Sequence, residues 1–462
     1  MHTKLTKANI LRAVGPSLLI CSAFILCAAL GMLINPEAFH KFFSASRLIR
    51  AVTPESHNGS YYWDVEHYAN MALNPRCAAF YPLWPLLIRI LFHPQSVEQA
   101  AHSFLLVATI LFFISIFPLY WVFKKAFKRR YLALLLALAY SLNPMSIFHV
   151  IGYTESLFSI LTILFMYLML KHNLNLPVKV FLIFIITSLM ALTRPVLIQI
   201  LFSSSASLAT IIYFESLKIE ISFWKNLRNI VNKYIQLTIK TINIWLAAIL
   251  GYSLYGTFCL NSRGDFFAPF QDQKYWGKRL GLHLELLFLP RSLLFDLLGL
   301  YLPLIVLFLS LTFVYFKLRN ESPYIFIPNS ALWNVLILYP PLLILLYLFK
   351  ALKIKLRRLN SGRELKQLKT CDYTKTLSEN YLFWFCVYFT TANSAIVFLT
   401  QDRLYSLARY VFGVPFFFMA LGYLCRCIPS KKTYKALVSV ILISAIALVQ
   451  QWVRYGQDDW LG

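Results

Sequence analysis

Residues 61–89 read YYWDVEHYANMALNPRCAAFYPLWPLLIR. Asp64, Glu66 and His67 crowd into four positions, flanked by aromatics and followed by a Pro-rich aromatic patch. The sequence on either side turns to apolar runs of about 18–25 residues, the length a helix needs to cross a bilayer. A polar island between such runs reads as a loop joining two membrane spans. That reading makes the chain an all-α polytopic membrane protein.

Composition agrees. Of the 462 residues, 59% are apolar and 14% charged, with a mean hydropathy of +0.63; soluble chains carry about 25% charged residues. The net charge of +25 does not point to nucleic acid. The Lys and Arg fall in short clusters between apolar runs, the pattern of cytoplasmic loops beside anionic lipid. The N-terminal apolar run is too long for a signal-peptide core, so it reads as an uncleaved first span with a cytoplasmic N-terminus. Eight Cys are scattered, and Cys425/Cys427 has no matching pair elsewhere to build a zinc site. Cys77 and Cys259 both fall in outward positions, where a disulfide could form, but nothing in the spacing requires it.

In chain order, span 1 covers about 13–34. Segment 35–101 is too polar to cross and forms the first outward loop, with 80–92 as a helix lying along the membrane interface. Span 2, about 103–123, ends in KKAFKRR, five positive charges in seven residues, a cytoplasmic mark. Span 3, about 131–148, leads out to HVIGYTES, and span 4, about 156–170, returns. The stretch 180–214 breaks at Thr193-Arg194-Pro195, because proline removes a backbone donor and disfavours helix in the residue before it. Arg194 then sits in an outward turn. Residues 215–234 are basic and cytoplasmic, and a span at about 236–258 leads out to the patch containing QDQKYW. Between 284 and 352 prolines interrupt the apolar blocks, leaving the number of crossings open. Residues 353–375 carry eight Lys or Arg, so 352–380 reads as a basic cytoplasmic loop. Spans at about 381–399, 411–427 and 434–452 complete 10–12 crossings in one integrated domain, residues 1–462.

Candidate chemistry gathers on the outward side. If 63–72 is a short helix, Asp64 and His67 share a face and Tyr68 lies one turn from Asp64. Asp64 could take a proton from an attacking alcohol, bind hydroxyls without catalysing, or simply cap the helix. His67 could orient Asp64, bind a phosphate or be solvated. Asp64, Glu66 and His67 could hold a divalent ion, but only Asp265 and Asp272 are available to complete a shell, so no metal and no cofactor are expected. Arg194, Arg291, Arg403 and Arg409 lie near outward span ends; such cations could neutralise a leaving phosphate or could snorkel to headgroups. Glu155, in GYTES, reads as a helix cap or as part of a site. Gln271 to Trp276 offer amide and indole groups suited to sugars or to an aromatic belt.

The motifs resemble one known family. WDVEHY followed by AAFYPLWPLLIR is similar to the WDxEH and AFFPLFPL signature of the PIG-V family, the second mannosyltransferase of GPI-anchor assembly with its bacterial relatives. SLNPMSIFHVIGYTESLFSIL, TRPVL, QDQKYW and SLARYVFGVPFFFMAL follow in the family's order, from about residue 60 to 425. TRPVL lacks the family's Ser-Asn-Gly, and 352–380 has no counterpart in its pattern.

The resemblance implies a GT-C glycosyltransferase fold: a multi-span, inverting enzyme acting on the outer or lumenal face. It would move a sugar, in this family mannose, from a polyprenyl- or dolichyl-phosphate donor to a lipid-linked acceptor. Asp64 matches the family's proposed catalytic carboxylate. Glu66, His67, Glu155, Arg194, Gln271, Trp276, Arg409 and Tyr410 match positions expected to bind donor or acceptor. The membrane would be a bacterial plasma membrane or the endoplasmic reticulum, and an accessory membrane subunit is compatible with this reading. The rival is a transporter or flippase for a lipid-linked or sugar substrate. It requires ionisable residues buried within spans, for which Asp296 is the chief candidate.

Overall fold

The computed structural model describes residues 7–44, 64–171, 174–219, 234–276, 278, 280–288, 294–318, 377–400, 406–427, 431–459 and 461. The segments 319–376, which include most of the basic stretch 352–380, and the positions of Arg291 and Arg403 lie outside the described residues, as do Tyr61, Tyr62 and Trp63.

The described chain is helical. It contains α1 (Lys7–Ile34), α2 (Pro36–Phe43), α3 (Asp64–Leu73), α4 (Leu83–Phe92), α5 (Val97–Phe127), α6 (Arg130–Ser141), α7 (Glu155–Leu170), α8 (Leu176–Thr193) and α9 (Leu197–Ile219). There follow α10 (Ile235–Arg263), α11 (Leu294–Leu318), α12 (Tyr381–Ala395), α13 (Leu407–Phe412), α14 (Phe416–Cys427) and α15 (Lys431–Gly456). Eight of these helices are long and apolar enough to cross a membrane, and many of their large apolar side chains face outward. That pattern suits lipid rather than water as the solvent. The chain is a multi-pass integral membrane protein.

The polar island folds as its sequence predicts, into two short helices, α3 and α4. Two expected spans are broken instead of continuous. The third stops at Ser141 and gives way to a 3-10 turn, Pro144–His149, where Asn143 accepts the Met145 amide at 2.9 Å and Pro144 stands at the first position. The stretch 407–427 breaks at Gly413-Val414-Pro415, leaving α13 as a separate short helix ahead of α14. Both breaks lie beside the candidate site. The break at Thr193–Pro195 occurs as expected.

The two ends of the chain reveal its direction. Asn35, just after α1, donates to the Val453 carbonyl at 2.9 Å. Lys41 on α2 donates to the carbonyls of Tyr455 and Gly456, at 3.0 and 3.2 Å, and pairs with Asp458. The C-terminal ends of α1 and α15 therefore lie on one face. The two helices run the same way through the bundle; the count of crossings between 284 and 352 falls partly on residues outside those described. Besides the eight long helices, α6, α7 and α14 are shorter apolar helices among the described residues.

At the opposite face, Arg129 donates to Tyr434 Oη at 3.5 Å and Arg426 donates to the Ala126 carbonyl at 3.0 Å. The basic clusters around 124–131 and 426–435 thus share one face, and α3 lies at the other. On the α3 face Cys77 and Cys259 form a disulfide, with Cα atoms 5.1 Å apart. It ties the α3–α4 linker to the end of α10, across a sequence separation of 182. Non-reducing peptide mapping should recover this crosslink, and Cys77→Ser should lower the melting temperature by an amount equivalent to about 2–4 kcal/mol. Alkylation of both thiols without reductant would contradict it.

Candidate functional site

Asp64 is the first residue of α3 and is buried. Its Oδ2 lies 2.9 Å from Nη1 of Arg409 on α13. Arg409 in turn reaches Glu155, the first residue of α7: Nε lies 3.1 Å from Oε1, close enough for charge but misaligned for a hydrogen bond. Glu155 Oε1 also accepts from Arg194 Nη2 at 2.9 Å. Four charges thus alternate in one buried chain, Asp64–Arg409–Glu155–Arg194, drawn from residues up to 345 positions apart. Exposure of the four residues runs from 0% for Glu155 to 8% for Asp64. Two anions balance two cations, and such pairing is what allows charges to be buried at all. Neither Glu155 as a simple cap nor Arg194 as a snorkelling cation fits this burial.

Aromatic rings enclose the chain. The Arg409 guanidinium lies 4.9 Å from the Tyr153 ring, 5.1 Å from Tyr410 and 5.2 Å from Phe148. The Arg194 guanidinium lies 4.7 Å from Tyr410 on the other side. Tyr410 is therefore held between two cations, a favourable arrangement for ring faces, and its hydroxyl accepts from Arg409 Nη2 at 3.2 Å. Burial opposes ionisation of the Tyr410 phenol, but Arg409, Lys278 and Arg194 outweigh it and hold its pKa below the usual range. Burial also works against the charge on Arg409. The Asp64 and Glu155 carboxylates overcome it and hold the guanidinium ionised, well above its ordinary value.

Helix α13 has only six residues, so its position must come from elsewhere. Asp296, near the start of α11, accepts the Ala408 amide at 2.8 Å. Asn393 on α12 donates to the Tyr410 carbonyl at 3.1 Å. Asn143 donates to the Phe412 carbonyl at 3.3 Å, and Ser159 on α7 donates to the Gly413 carbonyl at 3.1 Å. Four elements thus clamp the backbone on both sides of Arg409. Gly299 admits this close approach, since a Cβ there would stand 2.9 Å from the Ala408 nitrogen. The loop carrying Tyr153 and Glu155 is set in a similar way. Gly152, at φ +90°, packs against Val65 and Phe104, and its carbonyl accepts from the Trp84 indole at 3.0 Å.

The structure brings together Asp64, Glu155, Arg194, Arg409 and Tyr410. Glu66 and His67 lie beside them on α3 but outside the ion chain. His67 stacks on Phe80, with ring centroids 4.9 Å apart. Burial lowers the His67 pKa, Asp64 opposes the shift and Arg76 adds to it, so the imidazole favours its neutral form. Burial raises the Glu66 carboxyl. Gln271 is exposed, and the Trp276 side chain lies outside the described residues. In that patch the contacts belong to neighbours instead. Asp272 pairs with Arg263 at 2.5 Å, and Gln273 donates to the Ala79 carbonyl at 3.2 Å and accepts from Lys278 at 2.8 Å. Asp296, held within a span by the transporter reading, stands in the first turn of α11 as a support for α13.

No protein-family model matches the chain. No curated protein matches it either. Among solved structures it is similar to the Archaeoglobus fulgidus oligosaccharyltransferase tethered with an acceptor peptide containing the NVT sequon, at 14% identity and a TM-score of 0.35. It is also similar to the archaeal oligosaccharyltransferase AglB from Archaeoglobus fulgidus in complex with an inhibitory peptide and a dolichol-phosphate, at 14% identity and a TM-score of 0.36. The matches cover 96% of this chain and 55% and 56% of those chains, so it spans just over half their length.

One Asp64 oxygen is held by Arg409, and the other makes no hydrogen bond among the described residues. The geometry thus offers a fixed carboxylate with a free lone pair, backed by cations and ringed by aromatics. Asp296→Ala should disturb this site without touching it. Loss of the buried acceptor leaves the Ala408 amide unpaired, at a cost of about 1–3 kcal/mol. Activity should fall while the protein still inserts, and Asp296→Asn, which keeps an acceptor, should recover most of it. Equal activity in the Ala and Asn variants would exclude this positioning role.

Proposed function

We propose that the protein is an inverting GT-C-type glycosyltransferase that moves a sugar from a polyprenyl-phosphate donor to a lipid-linked acceptor. The observation that carries this reading is the buried Asp64–Arg409–Glu155–Arg194 chain on the face opposite the basic clusters. Asp64 takes the proton of the acceptor hydroxyl as its oxygen bonds to the anomeric carbon. The bond from that carbon to the phosphate oxygen breaks, and the polyprenyl phosphate leaves carrying one more negative charge. Arg194, Arg409 and Lys278 add positive potential at the site that favours that charge through space. Tyr410, half-buried, offers a phenol hydroxyl suited to a sugar, while Tyr153 and Phe148 pack against Arg409 from behind.

The basic face is cytoplasmic by the positive-inside rule, which puts α3 and the Cys77–Cys259 disulfide in an oxidising, non-cytoplasmic space. The N-terminus is then cytoplasmic, and 35–101 is the first outward loop. Mannose is the donor sugar implied by the motif likeness.

The test offers the purified protein polyprenyl-phosphate mannose, glucose and arabinose with a lipid extract, followed by mass spectrometry. One donor should be consumed and one acceptor lipid should gain the mass of a single sugar residue. Donor crossing the bilayer intact, with no product, would replace this reading by a flippase.

A further inference from the structure

A second feature shares no residue with the ion chain. A cavity of about 320 Å³ opens between α4 and the α8/α10 pair, walled by Pro82, Pro85 and Leu86 on one side and Leu192, Leu254 and Phe258 on the other. Arg76 and Arg89 also line it, and no carboxylate does. Both arginines are exposed, and neither forms an ion pair among the described residues.

Its wall is braced. The Cys77–Cys259 disulfide joins the α3–α4 linker to α10. Tyr255 Oη, on the lining, accepts the Ala78 amide at 3.0 Å and lies 2.8 Å from the Phe80 carbonyl oxygen. At this volume the groove is at the small end of ligand pockets, suited to a stretch of one hydrocarbon chain rather than two acyl tails. Guanidiniums without acidic partners match a phosphate, which they can grip with paired N–H groups.

We propose that this groove binds the polyprenyl-phosphate part of the sugar donor, with the chain along α4 and α10 and the phosphate on Arg76 and Arg89. The proposal rests on the glycosyltransferase reading above. The groove's Arg76 end adjoins α3, whose Met71 also lines it. Arg76 lies close enough to His67 for its charge to act on the imidazole, and His67 is one turn along α3 from Asp64. The donor's sugar would then enter the site from the groove's Arg76 end.

The test uses the full-length protein in nanodiscs and, as probe, an unglycosylated polyprenyl phosphate carrying a diazirine in its chain. Labelling should fall on Leu86, Leu254 or Phe258. Arg76→Gln/Arg89→Gln should weaken probe binding by at least about tenfold with an unchanged melting temperature, and Arg76→Lys/Arg89→Lys should retain part of it. Labelling elsewhere, equal binding by the Gln double variant, or displacement of the probe by an equal concentration of phosphatidylglycerol would each overturn the proposal. Binding is read without turnover, so the two readings fail separately. Asp64→Asn should bind the probe like wild type; normal transfer by that variant would remove the catalytic assignment while leaving a labelled groove intact.

Discussion

Asp64→Asn leaves the protein folded and inserted and lowers sugar transfer by about 10²–10⁴-fold, the usual contribution of a positioned general base. Asparagine keeps the size of the side chain and can still accept from Arg409, so the 2.9 Å contact survives in form. What it loses is the ability to take a proton. The ion chain also changes from balanced to one excess cation, which costs some stability. That cost is limited because Glu155 remains close to Arg409. The effect should therefore appear in kcat much more than in the melting temperature. Purified variant that turns over within tenfold of wild type would remove Asp64 from the chemistry and leave it as an ion-pair partner.

Glu155→Ala should produce the largest loss of stability. Glu155 is completely buried and stands between two guanidiniums. Its removal leaves Arg194 with no carboxylate among the described residues and Arg409 with Asp64 alone. Breaking a buried pair from one side costs about 3–5 kcal/mol, because the remaining charge has lost its compensation. The expected readout is a clear fall in melting temperature and in yield of folded protein. Glu155→Gln/Arg194→Gln, which removes an anion and a cation together, should recover part of the loss, and the two single variants with the double complete a cycle that isolates the coupling. If Glu155→Ala melts like wild type, the ion chain is not what holds α7, α13 and the Arg194 turn together. Activity separates the site from the scaffold: the double variant should regain fold while remaining inactive.

The spans were legible because their signal is local. Apolar length, basic clusters and prolines are properties of contiguous sequence, and α1, α5, α8, α9 and α10 lie where such properties predict them. Asp64 and Arg409 were also visible as candidates, because a charge beside an apolar run calls for an explanation. Their partnership was not visible. The two residues are 345 positions apart, and no periodicity connects them. The backbone-holding roles of Asp296, Asn143, Asn393 and Gln273 escaped sequence reasoning for the same reason. Each binds a distant backbone group, and the sequence around each carries no mark of that partner. The motif likeness singles out Gln271, and only packing shows that Gln273, in the same patch, turns toward the α3–α4 linker.

By itself, then, the sequence determined that this chain crosses a membrane many times and that a polar island at 61–89 lies between spans, since bilayer thickness imposes both on any chain with these apolar runs. The tertiary structure alone decided which charges meet. Isolated from one another, Asp64, Glu155, Arg194 and Arg409 would each be costly to bury, and only the folding of α3, α7, α13 and the α8–α9 turn onto one another pairs them and makes their burial tolerable.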